Sequence, residues 1–269
     1  NGSSAYASAY SFVAGSTSLY GSTATTPLVS KITQPNMNFE NAYDNRGNII
    51  SEKRGSLTTS YTYDGMGQLT RVNDHNDTTS RSTGTTWIYE YDRGGNMTTA
   101  KRYAYTTGTP GTVLATTSYT YGDANWKDKL TAVGDQAITY DAIGNMLSDG
   151  THTNEWEHGR QLKKTTLSNG SYATYLCNHE GMRTHKTVTT SAGAVTTYYT
   201  YNGTRLSRYD HNGNMLHFFY DAQGRVAMVQ HWDGVATKFY AYVYNLQGDV
   251  VGMIDNAGTM VVEYKYDAW

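Results

Sequence analysis

Residues Thr139 to Met146 read "TYDAIGNM". A tyrosine and an aspartate are followed by a glycine three residues after the aspartate, then by one polar and one apolar residue. The Tyr-Asp-x-x-Gly phrase occurs six times, beginning at Tyr43, Tyr63, Tyr91, Tyr140, Tyr209 and Tyr220. Random placement of the chain's tyrosines, aspartates and glycines predicts roughly 0.15 copies, so the phrase is an internal repeat. Near-copies extend it: "YNLQG" at Tyr244 carries Asn for Asp, and "IDNAG" at Ile254 carries Ile for Tyr. "CNHEG" at Cys177 and "WEHG" at Trp156 read as worn versions.

The spacing has a physical meaning. A three-residue hairpin loop is a type I turn closed by a left-handed residue, usually glycine. With x-x-Gly in that loop, the aspartate opens the turn, where its carboxylate can accept the turn's own amide hydrogens. The aspartate then pairs with the polar residue after the glycine. The tyrosine faces the apolar residue across the hairpin. Tyr140 should face Met146, Tyr220 should face Val226, and the copy at Tyr209 should set Tyr209 against Met215. Turns are expected at Gly47, Gly67, Gly95, Gly144, Gly213, Gly224, Gly248 and Gly258. The strands entering them, such as "YTYD" ending at Asp64 and "YEYD" ending at Asp92, place two tyrosines on one face at a period of two. The structural residues of the repeat are therefore Tyr43, Asp44 and Gly47; Tyr63, Asp64 and Gly67; Tyr91, Asp92 and Gly95; Tyr140, Asp141 and Gly144; Tyr209, Asp210 and Gly213; Tyr220, Asp221 and Gly224; and Tyr244, Asn245 and Gly248.

Composition agrees with an all-β chain of thin core. Leu, Ile, Val and Phe total 40 of 269 residues, about 15%, below the rough 20% typical of packed globular chains. Yet there are 25 Tyr, 5 Trp and 40 Thr, residues suited to half-wet pleated surfaces. A large sheet wetted on both faces fits. Net charge is −2, which argues against nucleic acid as a partner. No apolar run approaches membrane-span length. One cysteine, Cys177, allows no internal disulfide. Helix is expected nowhere beyond a turn in "DANWKDKL" (Asp123 to Leu130). Polar stretches at 75–86 and 106–112 read as loops. Three regions are expected: a weakly repeat-like segment 1–26, a repeat array 27–235, and a distinct closing segment 236–269.

Together the six Tyr-Asp-x-x-Gly copies and the closing stretch "YVYNLQGDVVGMIDNAGTMVVEYKYDAW" resemble the YD-repeat, or Rhs-repeat, family of bacterial polymorphic toxins. The closing stretch resembles the start of the Rhs repeat-associated core. "YTYGDANWKDKLTAVGDQAITYDAIGNM" is similar to the Gram-positive branch. The resemblance covers residues 27–269 and is weaker over 1–26. It implies a β-sheet strip that spirals into a hollow shell around a C-terminal toxin domain, which is often released by self-cleavage just beyond the core. The implied partner is the remainder of the same polypeptide, including that toxin, in a secreted or cell-surface protein. The final phrase, Tyr266-Asp267-Ala268-Trp269, lacks its glycine, so the resemblance implies a repeat continued on a longer chain. Tyr264 and Tyr266 are then expected in a strand whose turn partner lies further on. No position matches the family's self-cleavage motif, and no catalytic residue is assigned.

Other candidate chemistry is sparse. Glu155 and Glu157 flank Trp156, a pairing that glycoside hydrolysis could use, but Trp156-Glu157 also reads as a worn Tyr-Asp. Asp74, His75 and Asp77 are metal-ligand types in one loop, without a closed ligand set. His179 and His185 lack the HExxH spacing of zinc proteases. His211, His217 and His231 define no site. A lone Cys177 is more often a small buried apolar residue than a nucleophile. No cofactor or metal is expected. The leading reading is a structural shell segment and not an enzyme. The alternative is an extracellular adhesin or carbohydrate-binding module presenting its aromatic rings to cell-surface glycan.

Overall fold

In the computed structural model, residues 8–17, 23–34, 37–75 and 84–266 are described. They form 24 strands and no helix. Eight come first: β1 (Ala9–Thr17), β2 (Thr23–Thr33), β3 (Phe39–Tyr43), β4 (Ile49–Arg54), β5 (Leu57–Tyr63), β6 (Leu69–Asp74), β7 (Thr85–Tyr91) and β8 (Met97–Ala104). Then follow β9 (Val113–Thr120) and the short β10 (Ala132–Val133), β11 (Gln136–Ala137), β12 (Thr139–Tyr140) and β13 (Met146–Ser148). A long run continues with β14 (His152–Glu157), β15 (Gln161–Leu167), β16 (Tyr172–Cys177), β17 (Arg183–Thr190), β18 (Gly193–Asn202) and β19 (Arg205–His211). The last are β20 (Asn214–Tyr220), β21 (Val226–Trp232), β22 (Thr237–Tyr244), β23 (Val250–Ile254) and β24 (Met260–Glu263).

The strands lie in strict chain order, β1 to β11 in an 11-stranded sheet and β12 to β24 in a 13-stranded sheet. That order is what a succession of hairpins produces, since short loops leave each strand only its sequence neighbours to pair with. The expected loop at 106–112 separates β8 from β9. "DANWKDKL" forms a turn and no helix: the Asp123 carboxylate accepts from the amides of Asn125 and Trp126 at 2.9 and 3.0 Å. The early strands β1 and β2 pair with three register shifts.

Two compact units result, one of residues up to Ser118 together with Val243 onward, the other Tyr119–Tyr242. In the first, returning residues Val243, Val251 and Ile254 are buried, as are Ile32, Phe39, Val72, Tyr89 and Tyr103. Gln34 fixes the return by donating its side-chain amide to the Tyr244 carbonyl at 3.0 Å. In the second unit, only Asn145, Thr197 and Val229 are buried among the described residues. It is a sheet section wet on both faces, held chiefly by its ladders and cross-strand pairs. The low aliphatic content of the sequence is met here.

Candidate functional site

The feature repeated through both units is the hairpin turn of the Tyr-Asp-x-x-Gly phrase. Its tyrosine faces the apolar residue two places after the glycine: Tyr43 with Ile49, Tyr63 with Leu69, Tyr91 with Met97, Tyr140 with Met146 and Tyr220 with Val226. A register shift immediately precedes each of these tyrosines, the bulge that a left-handed closing residue introduces. Gly47 and Gly144 close their loops at φ +86° and +89°, a region costly for any residue bearing a Cβ. The other six expected turn glycines also have positive φ, between +79° and +90°.

Within the loop, the aspartate is the organiser. Asp44 Oδ1 accepts from the backbone amides of Arg46 and Asn48, each at 2.9 Å. Asn48 Nδ2 donates to the other carboxylate oxygen at 2.9 Å. Asp92 and Asp141 repeat the pattern with Asn96 and Asn145. The side-chain bond from Asn48 leads in holding the Asp44 carboxyl below its usual range, as that from Asn96 does for Asp92. At the variant copy the roles are exchanged: Asn245 Oδ1 accepts from the Asp249 amide at 2.8 Å, and Asn245 Nδ2 donates to Asp249 Oδ2 at 2.9 Å. One carboxylate and one amide suffice, in either order.

The tyrosine has a second task that spacing alone did not reveal. Tyr63 donates its hydroxyl to the Ile49 carbonyl at 2.9 Å, and Tyr91 to the Leu69 carbonyl at 2.7 Å. Each acceptor is the residue two places after the preceding copy's glycine. Tyr201 does the same to Arg183 at 2.8 Å. Tyr266 reaches Val250 at 2.9 Å, two places after Gly248, past the intervening copy at Ile254. Trp156 substitutes its indole, donating Nε1–H to the Met146 carbonyl at 2.9 Å. The worn phrase at Trp156 thus keeps the coupling bond as well as the Trp156–Leu162 pair. Related bonds run from Tyr43 to Val29, Tyr140 to Leu130 and Tyr220 to Leu206, at 2.7 to 2.8 Å. Most copies are thus clasped to an earlier segment: the intact ones at Tyr43, Tyr63, Tyr91, Tyr140 and Tyr220, all but that at Tyr209, and the worn one at Trp156.

One copy departs from the expectation. Tyr209 faces Leu216, and Asp210, not Tyr209, lies opposite Met215. The loop there is shortened to Asn212 and Gly213, at φ +51° and +83°. Asn-Gly accepts positive φ at both positions and so permits a two-residue type I′ turn, which moves the register by one. A second correction concerns the end. β24 stops at Glu263, and Tyr264 to Tyr266 are not in a strand. They are held instead by Tyr264 N–H on the Val251 carbonyl at 3.0 Å and by the Tyr266 hydroxyl.

Other candidate residues fall apart as sites. Glu155 pairs with Lys164 at 3.5 Å and Glu157 with Lys163 at 3.7 Å. His75 stacks on Tyr105 at 3.9 Å, while Asp77 lies outside the described residues. His185 packs edge-on against Tyr198, and His211 Nδ1 shares a 2.8 Å hydrogen bond with the Thr197 hydroxyl. Cys177 is a free thiol, half-buried rather than buried. Among the described residues no three His, Cys, Asp or Glu side chains are grouped to hold a metal.

The first unit also contains a cleft of about 460 Å³ that sequence reading gave no hint of. Glu52, Thr59 and Asp74 line it as one cross-strand row on β4, β5 and β6. The facing wall comes from Asp249, Val251 and the Tyr264–Tyr266 segment. Thr59 donates its hydroxyl to Asp74 Oδ1 at 2.9 Å, and Lys265 Nζ lies 3.4 Å from Asp74 Oδ2. Arg54 is ion-paired with Glu263. Glu52 Oε2 is buried with no hydrogen-bond partner among the described residues. Burial pushes the Glu52 carboxyl up; Arg54 opposes this, while Asp74 and Asp249 reinforce it. Tyr61, on the same wall, is pushed well above the usual tyrosine range by burial and then by Glu52.

Comparison with known proteins places this architecture. The family model described as Teneurin YD-shell matches residues 36–264, and the chain belongs to that YD-shell family. Among curated relatives, the tRNA nuclease WapA of Bacillus subtilis strain 168 is 33% identical over 192 residues, covering 69% of this chain and 8% of that protein. The tRNA3(Ser)-specific nuclease WapA of Bacillus spizizenii is 32% identical over 201 residues, with the same coverage of 69% and 8%. The chain thus spans about 8% of the length of these curated relatives. Among solved structures, the Tc holotoxin pore of Photorhabdus luminescens superposes with a TM-score of 0.69 at 18% identity, covering 97% of this chain and 14% of that one. A TcdB2–TccC3 complex gives 0.69 at 19% identity with the same coverage, 97% and 14%. The chain is an all-β YD-shell segment.

Proposed function

We propose that this chain is a section of the wall of a toxin-enclosing shell, a structural segment that itself performs no catalysis. The observation carrying the reading is the clasp between copies. A repeat that ties most of its hairpins to the segment before them builds a sheet that lengthens by addition, as repeat architectures do. Such a sheet needs no catalytic group, and its stability is a sum over neighbouring copies. The wet faces of the second unit suit a wall that separates one aqueous space from another. Residues 236–269 would open the closing core of the array, with residues 27–235 as the array itself. The enclosed partner would be a toxin domain further along the same polypeptide, delivered by a secreted or surface-borne bacterial protein in competition with other bacteria. Self-cleavage to release it would use residues outside this chain.

Limited proteolysis of the longer polypeptide carrying this segment tests the reading. A downstream domain inside a shell should resist protease until the shell itself unfolds, and should become sensitive together with it. A downstream domain digested as fast as the same domain expressed alone would overturn the proposal. Saturable retention of the intact protein on immobilised glycan, together with that sensitivity, would favour a surface-binding module instead.

A further inference from the structure

We propose that the cleft of the first unit binds a small organic cation, an alkylammonium or guanidinium group, anchored on Glu52. The inference stands on the geometry of the cleft and not on the shell reading. Its volume of about 460 Å³ is in the range of small-molecule sites. Glu52 lines it, and the buried Oε2 of that carboxylate has no hydrogen-bond partner among the described residues; a buried acceptor without a donor is costly. The residue directly opposite Glu52 in the ladder, Asn41, is 8% exposed and presents a second orphaned acceptor, Oδ1. Asn41 does not line the cleft, so Glu52 is the acceptor that a ligand there would meet, and it calls for a species that supplies N–H groups.

The charge of the cleft points the same way. Its carboxylates are Glu52, Asp74 and Asp249, and its cations are Arg54 and Lys265. Lys265 is engaged with Asp74 and Arg54 with Glu263. Asp249 takes its side-chain bond from the neutral Asn245 amide. With Glu52 ionised, the lining carries three carboxylates against two cations, a net negative charge. A neutral ligand would supply the hydrogen bond but leave that charge, whereas an ammonium or guanidinium answers both. Tyr63 and Tyr266 also line the cleft, with hydroxyls already donated to Ile49 and Val250. Their rings contribute surface suited to a cation rather than further donors. A bare metal ion fits less well, because no three ligating side chains are grouped to hold one among the described residues.

Isothermal titration of the longer polypeptide carrying this segment with putrescine, and separately with ethylguanidinium, tests the site, with tetramethylammonium and sodium chloride at matched ionic strength as controls. Saturable binding of at least one N–H cation is expected, with a ligand-dependent rise in Tm. Glu52→Gln should weaken it by about tenfold or more, the worth of one charge-assisted hydrogen bond. Asp249→Asn, which keeps side-chain shape and lies in an exposed turn, should weaken it by a smaller factor and serves if Glu52→Gln does not fold. No saturable binding by either probe would overturn the proposal. So would equal binding of tetramethylammonium, or binding that both variants leave unchanged. A Glu52 carboxyl found protonated at neutral pH by carbon NMR, in protein that binds neither probe, would assign the orphaned oxygen to a proton and equally overturn it.

Discussion

At the scale of the residue, the motif tyrosine does more than fill space. Its ring sits opposite an apolar side chain while its hydroxyl crosses to the preceding copy, so one side chain serves two repeats. The hydroxyl bond is separable from the packing. Tyr63→Phe keeps the pair with Leu69 and removes the bond to the Ile49 carbonyl. It should lower stability by about 1 kcal/mol, the net worth of a typical hydrogen bond. Tyr10→Phe, at a half-exposed ring of β1, should leave the urea midpoint nearly unchanged. Equal midpoints for the two variants would mean that the clasp contributes nothing. Gly144 provides a backbone counterpart. At φ +89°, Gly144→Ala should cost about 1 kcal/mol more than Gly108→Ala, because Gly108 is not in the left-handed region and alanine fits there without that strain.

At the scale of the element, the hairpin tolerates exchange of its parts so long as the turn is satisfied. Asn245 and Asp249 swap carboxylate and amide, and the loop keeps its three-residue form. Asn212-Gly213 instead changes the loop length, and the register with it. Asparagine is needed at position 212 because the type I′ turn holds it at φ +51°, where a short polar side chain is tolerated best. Asn212→Ala should therefore destabilise by about 1 kcal/mol. Gln223→Ala, in the three-residue loop after Asp221 and not at positive φ, should be close to neutral. Thermal melts of the two variants decide it; a shift of the same size in both would remove the special status of the shorter loop.

At the scale of the whole molecule, a chain with few aliphatic residues leans on tyrosine, and that gives it a characteristic response to alkali. Burial raises Tyr43, Tyr63, Tyr199 and Tyr201, and pushes Tyr91 from 10.0 up to about 12. The folded state thus favours the neutral phenol more than the unfolded state does. Stability from this source is fully present below the unfolded value of 10.0 and is lost as pH rises from there through about 12. Melting temperature should be flat on approach to pH 10 and then fall steeply, in step with tyrosinate absorbance. Tyrosines ionising near 10 with no change in melting temperature would show that these hydroxyls are not held by the fold.

Much of this was legible in the sequence for a simple reason. The fold is made of contacts between sequence neighbours, so a local phrase specifies its own turn, its own register and its own facing pair. "TYDAIGNM" contains the left-handed glycine, the carboxylate that organises the loop, and the Tyr140–Met146 pair. Repetition then fixes an antiparallel sheet in chain order. What the sequence could not show is whatever joins residues far apart along it. The hydroxyl clasp reaches the neighbouring copy across gaps that vary from copy to copy. The Asn212-Gly213 loop had to be weighed against the commoner three-residue form. The cleft depends on Asp249 and Lys265 being brought to Glu52 and Asp74, some two hundred residues away in sequence. Local hydrogen-bond geometry determined the hairpins; only the return of the closing segment onto the first strands formed the cleft around Glu52, whose Oε2 has no hydrogen-bond partner among the described residues.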